Sequence, residues 1–153
     1  MPADPGTSPF WPADNPAVSA HITLLQGIIT RLANNSASCK TWCLTLVAAL
    51  LGVAGTTHTP GIVTAALIPV AIFGFLDVMY LATEVAYRHL YGTVVAAIRA
   101  GDYTRDNVFE ARARPDAGHV IWALSSWSIV PYYGLLVSYA AAQWLGLSAL
   151  LAK

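Results

Sequence analysis

Charged side chains are scarce in this chain. They make up 10% of its 153 residues, while 56% of the residues are hydrophobic; ordinary soluble domains carry about 25% charged residues. Two stretches, residues 41–76 and 117–152, contain no charged residue at all. Each is far longer than the roughly 20 apolar residues that cross a bilayer. This composition argues against an ordinary soluble domain and predicts an all-α integral membrane protein.

The chain also lacks the signatures of nucleic-acid binding and of common enzymes. Eight basic residues balance eight acidic ones, and the five arginines between residues 84 and 116 are interleaved with acidic side chains, unlike a nucleic-acid patch. No metalloprotease, dinucleotide, nucleophile-elbow or phosphate-loop motif occurs. The spacing Arg114-x4-His119 matches a HEPN ribonuclease pair only loosely and falls in a proline-containing loop. We therefore predict no enzymatic activity, no cofactor and no nucleic-acid partner.

Cysteine and histidine are too few and too dispersed to indicate a metal centre. Cys39 and Cys43 lie four residues apart near the predicted cytoplasmic end of a helix, where a disulfide is unfavourable. We interpret them as small buried hydrophobic residues, with acylation or a metal site completed by a distant histidine as alternatives. The histidines are predicted to lie on both sides of the membrane without forming a ligand set: His21, His58, His89 and His119.

The charge-free stretches predict three membrane spans. A cluster of glycine, threonine and proline at residues 55–61 divides the first stretch, giving a hairpin with spans at about 37–54 and 60–81. The second stretch predicts one span at about 128–150, preceded by an interfacial or kinked segment, with a re-entrant segment at 118–126 as the alternative. Because lysine and arginine favour the cytoplasmic side, we predict a multi-pass protein of the inner membrane with a cytoplasmic N-terminus.

The first two spans are predicted to continue into the cytoplasm as helices. Residues 1–15 are proline-rich and read as a disordered tail, and Asn15-Pro16 is a favourable helix opening. Helical extensions are expected at 16–36 and 82–100, followed by a loop at 101–117. In the first extension we place His21 on the polar face, opposite an apolar stripe. Residues 16–153 then form a single α-helical membrane domain.

Opposite charges face each other in the predicted hairpin. With the turn centred near residues 57–59, residues at equal depth have numbers that add to about 116. This register pairs Lys40 with Asp77 and Arg31 with Glu84, and Arg88 can share Glu84 along the same helix. Our main interpretation is a clamp that fixes the hairpin register. The alternative is that Asp77 lines a pore or binds an ion, since intramembrane carboxylates usually face a partner or a water-filled cavity.

Small residues recur at four-residue spacing on two helices. Such ridges let helix backbones approach closely in membranes, so two ridges in a three-span protein favour a homo-oligomer. The alternative is that both are used within one subunit. The third span carries Gly134, Ser138, Ala142 and Gly146, and the first carries Ala48 and Gly52.

About half of the chain resembles small uncharacterised prokaryotic multi-span membrane proteins. The resemblance rests on polar and aromatic residues around the spans: Gln26, Ile29, Arg31, Asn35, Ser36, Lys40 and Trp42 within 21–51; the stretch 77–84; Tyr87, Arg88 and Tyr91; Ser126 and Ser128; and Pro131, Tyr132 and Tyr133. The layout is similar to SLATT-type and related antiphage membrane effectors. That similarity implies assembly that permeabilises or depolarises the membrane on a cytoplasmic signal, which a partner would supply because the chain has no recognisable sensor domain.

Two functions are therefore expected as alternatives. The first is a homo-oligomeric, channel-like membrane effector in which Lys40, Asp77, Glu84 and Arg88 gate or line a polar path. The second is a non-conducting anchor or assembly subunit whose cytoplasmic hairpin binds a protein partner.

Overall fold

The computed structural model describes residues 15–104 and 109–151, the last five as backbone only. Within these residues the chain forms five α-helices: α1 (Pro16–Thr57), α2 (Pro60–Ala65), α3 (Leu67–Ala100), α4 (Ala117–Leu124) and α5 (Val130–Leu151). The fold is all-helical, as the composition predicts. The predicted disordered tail lies outside the described residues except for Asn15.

Helix α1 begins and ends at the predicted signals. The side chain of Asn15 accepts a hydrogen bond from the backbone N–H of Ala17 at 2.9 Å, and Pro16 occupies the first turn. At the other end His58 takes a left-handed conformation with φ of 52°, which stops the helix. The 42 residues of α1 span about 63 Å, roughly twice the hydrocarbon thickness of a bilayer.

The return arm of the hairpin is divided, although the sequence predicts one continuous helix from Pro60. The division falls at Ala66, between α2 and α3. Its cause is Pro69, which has no N–H to donate to the carbonyl of Ala65 and whose ring crowds that carbonyl. Beyond the division α3 runs unbroken to Gly101, where a φ of 75° ends it at the predicted stop.

Helices α1 and α3 pack antiparallel in one constant register. Lys40 contacts Asp77 and the side-chain amide of Gln26 donates to the Tyr91 hydroxyl at 3.3 Å; the residue numbers of both pairs add to 117. The register therefore persists over 14 residues of α1, one residue from the predicted value. Two apolar clusters fill the hairpin. The larger joins all five helices, and the smaller lies between the start of α1 and the end of α3.

Helix α4 is separate from α5, so residues 118–129 do not belong to the helix of the predicted third span. A turn closed by the N–H groups of Ile129 and Val130, both donating to the Ser126 carbonyl at 3.0 Å, divides the two. Helix α5 then begins at Val130 with Pro131 in its first turn, where a missing N–H costs nothing. Its 22 residues coincide with the predicted third span within two residues at each end.

Asp116 starts α4 with a reciprocal cap. Its carboxylate accepts from the N–H of His119 at 2.8 Å, and its own N–H reaches the His119 ring nitrogen at 3.3 Å. The bond from the His119 N–H holds the pKa of the Asp116 carboxyl below its ordinary value of 3.8. The ionised cap therefore stabilises α4 above pH 3.8, and the stabilisation is lost as the pH falls through the lowered pKa.

We expect the hydrogen-exchange protection of the His119 amide, after correction for its intrinsic rate, to hold from neutral pH to about pH 3.8 and to fall below it. The matched control is Asp116→Asn, whose neutral amide can cap α4 at every pH. Protection that falls equally in the control would show that the carboxylate is not responsible.

Candidate functional site

An exposed apolar band covers one half of the hairpin. The helical arms Pro16–Thr57 and Pro60–Ala100 are long and apolar enough to cross a membrane, and only 28% of the most apolar 18 residues in each arm is buried. Exposed large apolar side chains begin at Trp42 on α1, with Leu24 as the exception, and end at Leu76 on α3. From Lys40 to the end of α1 is about 26 Å, close to the roughly 30 Å of a hydrocarbon core.

The Lys40–Asp77 ion pair lies at the edge of this band, and the predicted pairing is confirmed. The ammonium nitrogen of Lys40 lies 2.6 Å from Oδ2 of Asp77, whose side chain is fully buried, while that of Lys40 is 19% exposed. Ser36, one turn before Lys40, donates to Oδ1 of Asp77 at 2.5 Å, and Lys40 also donates to the Ser36 hydroxyl at 3.2 Å. Oδ1 thus accepts a hydrogen bond from Ser36, and Oδ2 has the Lys40 ammonium as its ionic partner.

Helix α5 meets the ion pair through two adjacent tyrosines. The Tyr132 hydroxyl donates to the backbone carbonyl of Lys40. The Tyr133 hydroxyl is buried beside Asp77 without a hydrogen bond of good geometry. The ring of Tyr133 lies against Gly74, where an added methyl group would be 3.5 Å from it. Sequence reasoning missed Ser36 and both tyrosines as site residues, although Ser36 has helical i, i+4 spacing to Lys40.

This polar cluster, formed by Ser36, Lys40, Asp77, Tyr132 and Tyr133, fixes the relative positions of α1, α3 and α5. Its charges are of opposite sign and in contact, and the carboxylate is shielded from solvent. Removing either charge would leave the other without its partner in a largely apolar setting, which is costly. In a single chain the arrangement is therefore suited to holding the register of the hairpin.

The predicted Arg31–Glu84 pair is wrong. Glu84 is buried and binds Arg88 of the next turn, with Nη2 2.6 Å from Oε1, whereas Arg31 is exposed. The physical reason is the helical repeat of 3.6 residues. Arg31 lies nine residues from Lys40, about half a turn around α1, while Glu84 lies seven residues from Asp77, on the same face of α3. Equal depth was predicted well, but the two side chains point in different directions.

A second polar network closes the other end of the hairpin, and the sequence analysis missed it. His21, placed by us on the polar face, is fully buried. Its Nε2 lies 3.1 Å from the carbonyl of Glu110 and its Nδ1 lies 2.6 Å from the hydroxyl of Tyr103. Because a carbonyl can only accept, Nε2 carries the proton, and in the neutral ring Nδ1 accepts from the Tyr103 hydroxyl. Burial raises the pKa of Tyr103, which keeps that donor protonated.

This network, together with a bond from Tyr87 to the Ala111 carbonyl at 2.9 Å, ties the segment after α3 back onto the hairpin. We call this end of the molecule, formed by the start of α1, the end of α3 and the segment after α3, the head. The usable signal was the spacing of Val18, His21 and Leu25, all buried, which marks one helical face.

The remaining histidines and the cysteines do not assemble a metal site in the part of the chain that is described. His89 and His119, predicted to be dispersed, are in edge-to-face contact with ring centroids 5.2 Å apart. They line a cavity of about 580 Å³ between α3 and α4. No group of three or more potential ligands occurs among the described residues. Cys39 and Cys43 are free thiols and buried, as interpreted from the sequence, which leaves neither accessible for acylation.

Within the described part of the chain, no side chain packs closely on the small-residue ridges. All six positions are exposed: Ala48, Gly52, Gly134, Ser138, Ala142 and Gly146. A methyl group added at Gly52, Gly134 or Gly146 would meet no atom within 4 Å. Within the subunit, α1 and α5 pack through faces other than the ridges. The packed face of α1 carries Val47 and Leu51, and that of α5 carries Tyr133, Leu136 and Ala140.

No family model matches the sequence, and no curated protein or solved structure matches it either.

Proposed function

We propose that this chain is an integral membrane protein in which α1, the α2–α3 arm and α5 each cross the bilayer once. The observation that carries the proposal is the apolar band, whose length of about 26 Å is close to a hydrocarbon core and whose edge coincides with the ion pair. A pair at that depth lets Lys40 extend toward the headgroups while Asp77 stays inside. The arginines after Asp77 favour a cytoplasmic head and N-terminus in the inner membrane.

Within that membrane, the function we favour is a homo-oligomeric effector that permeabilises or depolarises the bilayer on assembly. The exposed small-residue ridges on α1 and α5 support assembly, because lipid-facing glycine and serine are the residues on which membrane helices associate closely. The resemblance to antiphage membrane effectors points to a role in prokaryotic defence. A cytoplasmic protein partner acting on the head would supply the signal.

A non-conducting anchor is the second candidate, and the ion pair favours it. Lys40 and Asp77 neutralise each other and are closed off by Ser36 and the two tyrosines. The two opposite charges of the cluster compensate each other without a bound ion. In this function the membrane half would hold the chain in place, and the head would bind the partner.

Ion flux through liposomes containing the purified protein, with its oligomeric mass measured in the same preparation, tests the proposal. We expect flux from a defined oligomer, and both flux and oligomer should be lost in Gly134→Leu, because a bulky side chain on the ridge separates the helices. The matched control is Leu135→Ile, a conservative change at an exposed position next to the ridge.

Two results would contradict the favoured function. Flux from a monomer would remove the need for assembly. A well-folded oligomer that conducts nothing, alone or with cell extract on the cytoplasmic side, would leave the anchor function in its place.

A further inference from the structure

Helix α4 and the turn after it expose large apolar side chains that no other described part of the chain covers. Ile121, Trp122 and Leu124 are 67%, 54% and 53% exposed, and Trp127 in the following turn is 90% exposed. On its other side α4 packs onto α3 through Ala123, which is fully buried in the main apolar cluster. We call the four exposed residues the α4 surface.

Helix α4 lies where the sequence changes from charged to charge-free, and this limits what can cover the α4 surface. Asp116, which caps α4, is the last charged residue before the charge-free stretch that contains α5. Serines at 125, 126 and 128 surround the turn after α4. The chain therefore changes from a charged segment to a charge-free helix across α4 and its turn.

The packing of α4 places it near the Glu84–Arg88 pair of α3. The cavity between α4 and α3 is lined by Val85 and His89 of α3, next to the Glu84–Arg88 pair. After the turn, Tyr132 reaches Lys40. Helix α4 thus lies outside the apolar band, beyond the Lys40–Asp77 pair that marks its edge.

We propose that α4 is an interfacial helix whose α4 surface is covered by phospholipid headgroups and the adjoining ends of the acyl chains. The proposal rests on the proposed membrane insertion and names the partner of this one surface. Tryptophan suits that environment because its ring is apolar while its indole N–H needs a polar partner.

The two other surroundings fit the residues less well. In the hydrocarbon core, the Ser128 hydroxyl and the indole N–H groups of Trp122 and Trp127 would find no hydrogen-bond partner in the lipid, which the bilayer interior does not tolerate. The hydroxyls of Ser125 and Ser126 already bond within α4 and its turn. In water, four large apolar side chains of α4 and its turn would be exposed, two of them tryptophans. Only the interface accommodates both the apolar rings and the polar turn.

Fluorescence quenching of single tryptophans in vesicles tests the placement. Three variants each keep one tryptophan, at 122, 127 or 144, with the other four changed to Phe. Quenchers are phospholipids brominated near the headgroup end of the acyl chain, phospholipids brominated near its terminus, and aqueous acrylamide. We expect Trp122 and Trp127 to be quenched most by the shallow bromines and partly by acrylamide. Trp144, on α5, is the control for insertion and should be quenched best by the deep bromines.

The other outcomes separate this proposal from the one on which it rests. Deep quenching of Trp122 would overturn the proposal in favour of a re-entrant segment. Quenching of Trp122 by acrylamide alone, with Trp144 quenched by lipid, would overturn it while membrane insertion stands. Protection of Trp122 from every quencher would indicate that a second copy or another part of the chain covers the surface. Absence of lipid quenching at all three positions would remove membrane insertion itself.

A second measurement avoids replacing tryptophans. A nitroxide attached at Ser125→Cys, with Cys39 and Cys43 changed to Ala, should collide with both lipid-soluble oxygen and a water-soluble nickel chelate, as expected at the interface. Collision with only one of the two reagents would contradict the proposal.

Discussion

Replacing Lys40 by Met is expected to lower the free energy of unfolding by about 3–5 kcal/mol, the cost of leaving a buried charge without its partner. The carboxylate of Asp77 is fully buried and lies 2.6 Å from the Lys40 ammonium. After the substitution only the Ser36 hydroxyl would still donate to it. Unfolding of the protein in bicelles, followed by steric trapping or by titration with a denaturing detergent, measures the difference.

Two further variants identify the ion pair as the cause. Arg31→Met removes a cation of similar length from an exposed position on the same helix and should change the free energy of unfolding by less than about 0.5 kcal/mol. The double variant Lys40→Met with Asp77→Leu removes both charges and should recover most of the loss, because a buried pair replaced by apolar side chains is often close to neutral. An equal loss in the single and double variants would contradict this account.

Exchanging the charges separates structure from activity. Lys40→Asp combined with Asp77→Lys keeps a pair of opposite charges at the same depth. Recovery of both folding and flux would show that the cluster acts only as a clamp. Recovery of folding without flux would show that flux requires the carboxylate on α3 and not on α1. A direct role for Asp77 in the polar path predicts this result.

The second large effect is expected at the head. His21→Ala should destabilise the packing of the segment after α3 by about 2–4 kcal/mol, since it removes a fully buried ring and leaves the Tyr103 hydroxyl and the Glu110 carbonyl without their shared partner. Hydrogen exchange should show faster exchange across residues 101–104 and 109–114. Exchange around Lys40 and Asp77 should stay as in the unaltered protein.

Two comparisons make the result specific. Tyr103→Phe removes one hydroxyl from the network and should cost about 1 kcal/mol. Leu24→Ala changes a side chain of α1 that is 41% exposed and lies outside the network, so it should leave the exchange of the segment unchanged. Uniformly faster exchange over the whole hairpin in His21→Ala would mean that the head and the half of the hairpin with the apolar band unfold as one unit.

Local signals in the sequence predicted the helix limits well, because a residue that begins or ends a helix acts at its own position in the chain. Asn15 and Pro16 open α1, and Gly101 closes α3. The register of the hairpin followed from one turn and the rise per residue, which explains why the Lys40–Asp77 pair was found. Depth alone does not say which way a side chain points, and this is why the Arg31 pairing failed.

Other features depend on contacts between distant parts of the chain. His21 was assigned by polarity, but Tyr103 and the Glu110 carbonyl satisfy both ring nitrogens inside the fold. The approach of Tyr132 and Tyr133 to the ion pair depends on how α5 docks, which periodicity does not encode. The division at Ala66 was predictable from Pro69, whose effect falls four residues earlier at the carbonyl of Ala65.

The unbroken course of α1 has a mechanical consequence. From Pro16 to Lys40 the helix extends about 36 Å, and proline occurs within it only in its first turn. A tilt of about 10° around the ion pair would move the far end of α1 sideways by about 6 Å, and the same rotation would be passed to the half beyond Lys40. Helix α1 can thus transmit a displacement of one end to the other by tilting about the ion pair at the edge of the apolar band. In the proposed oligomer, a partner that shifted the head by the width of one side chain would move the ridge of Ala48 and Gly52 toward or away from the neighbouring subunit.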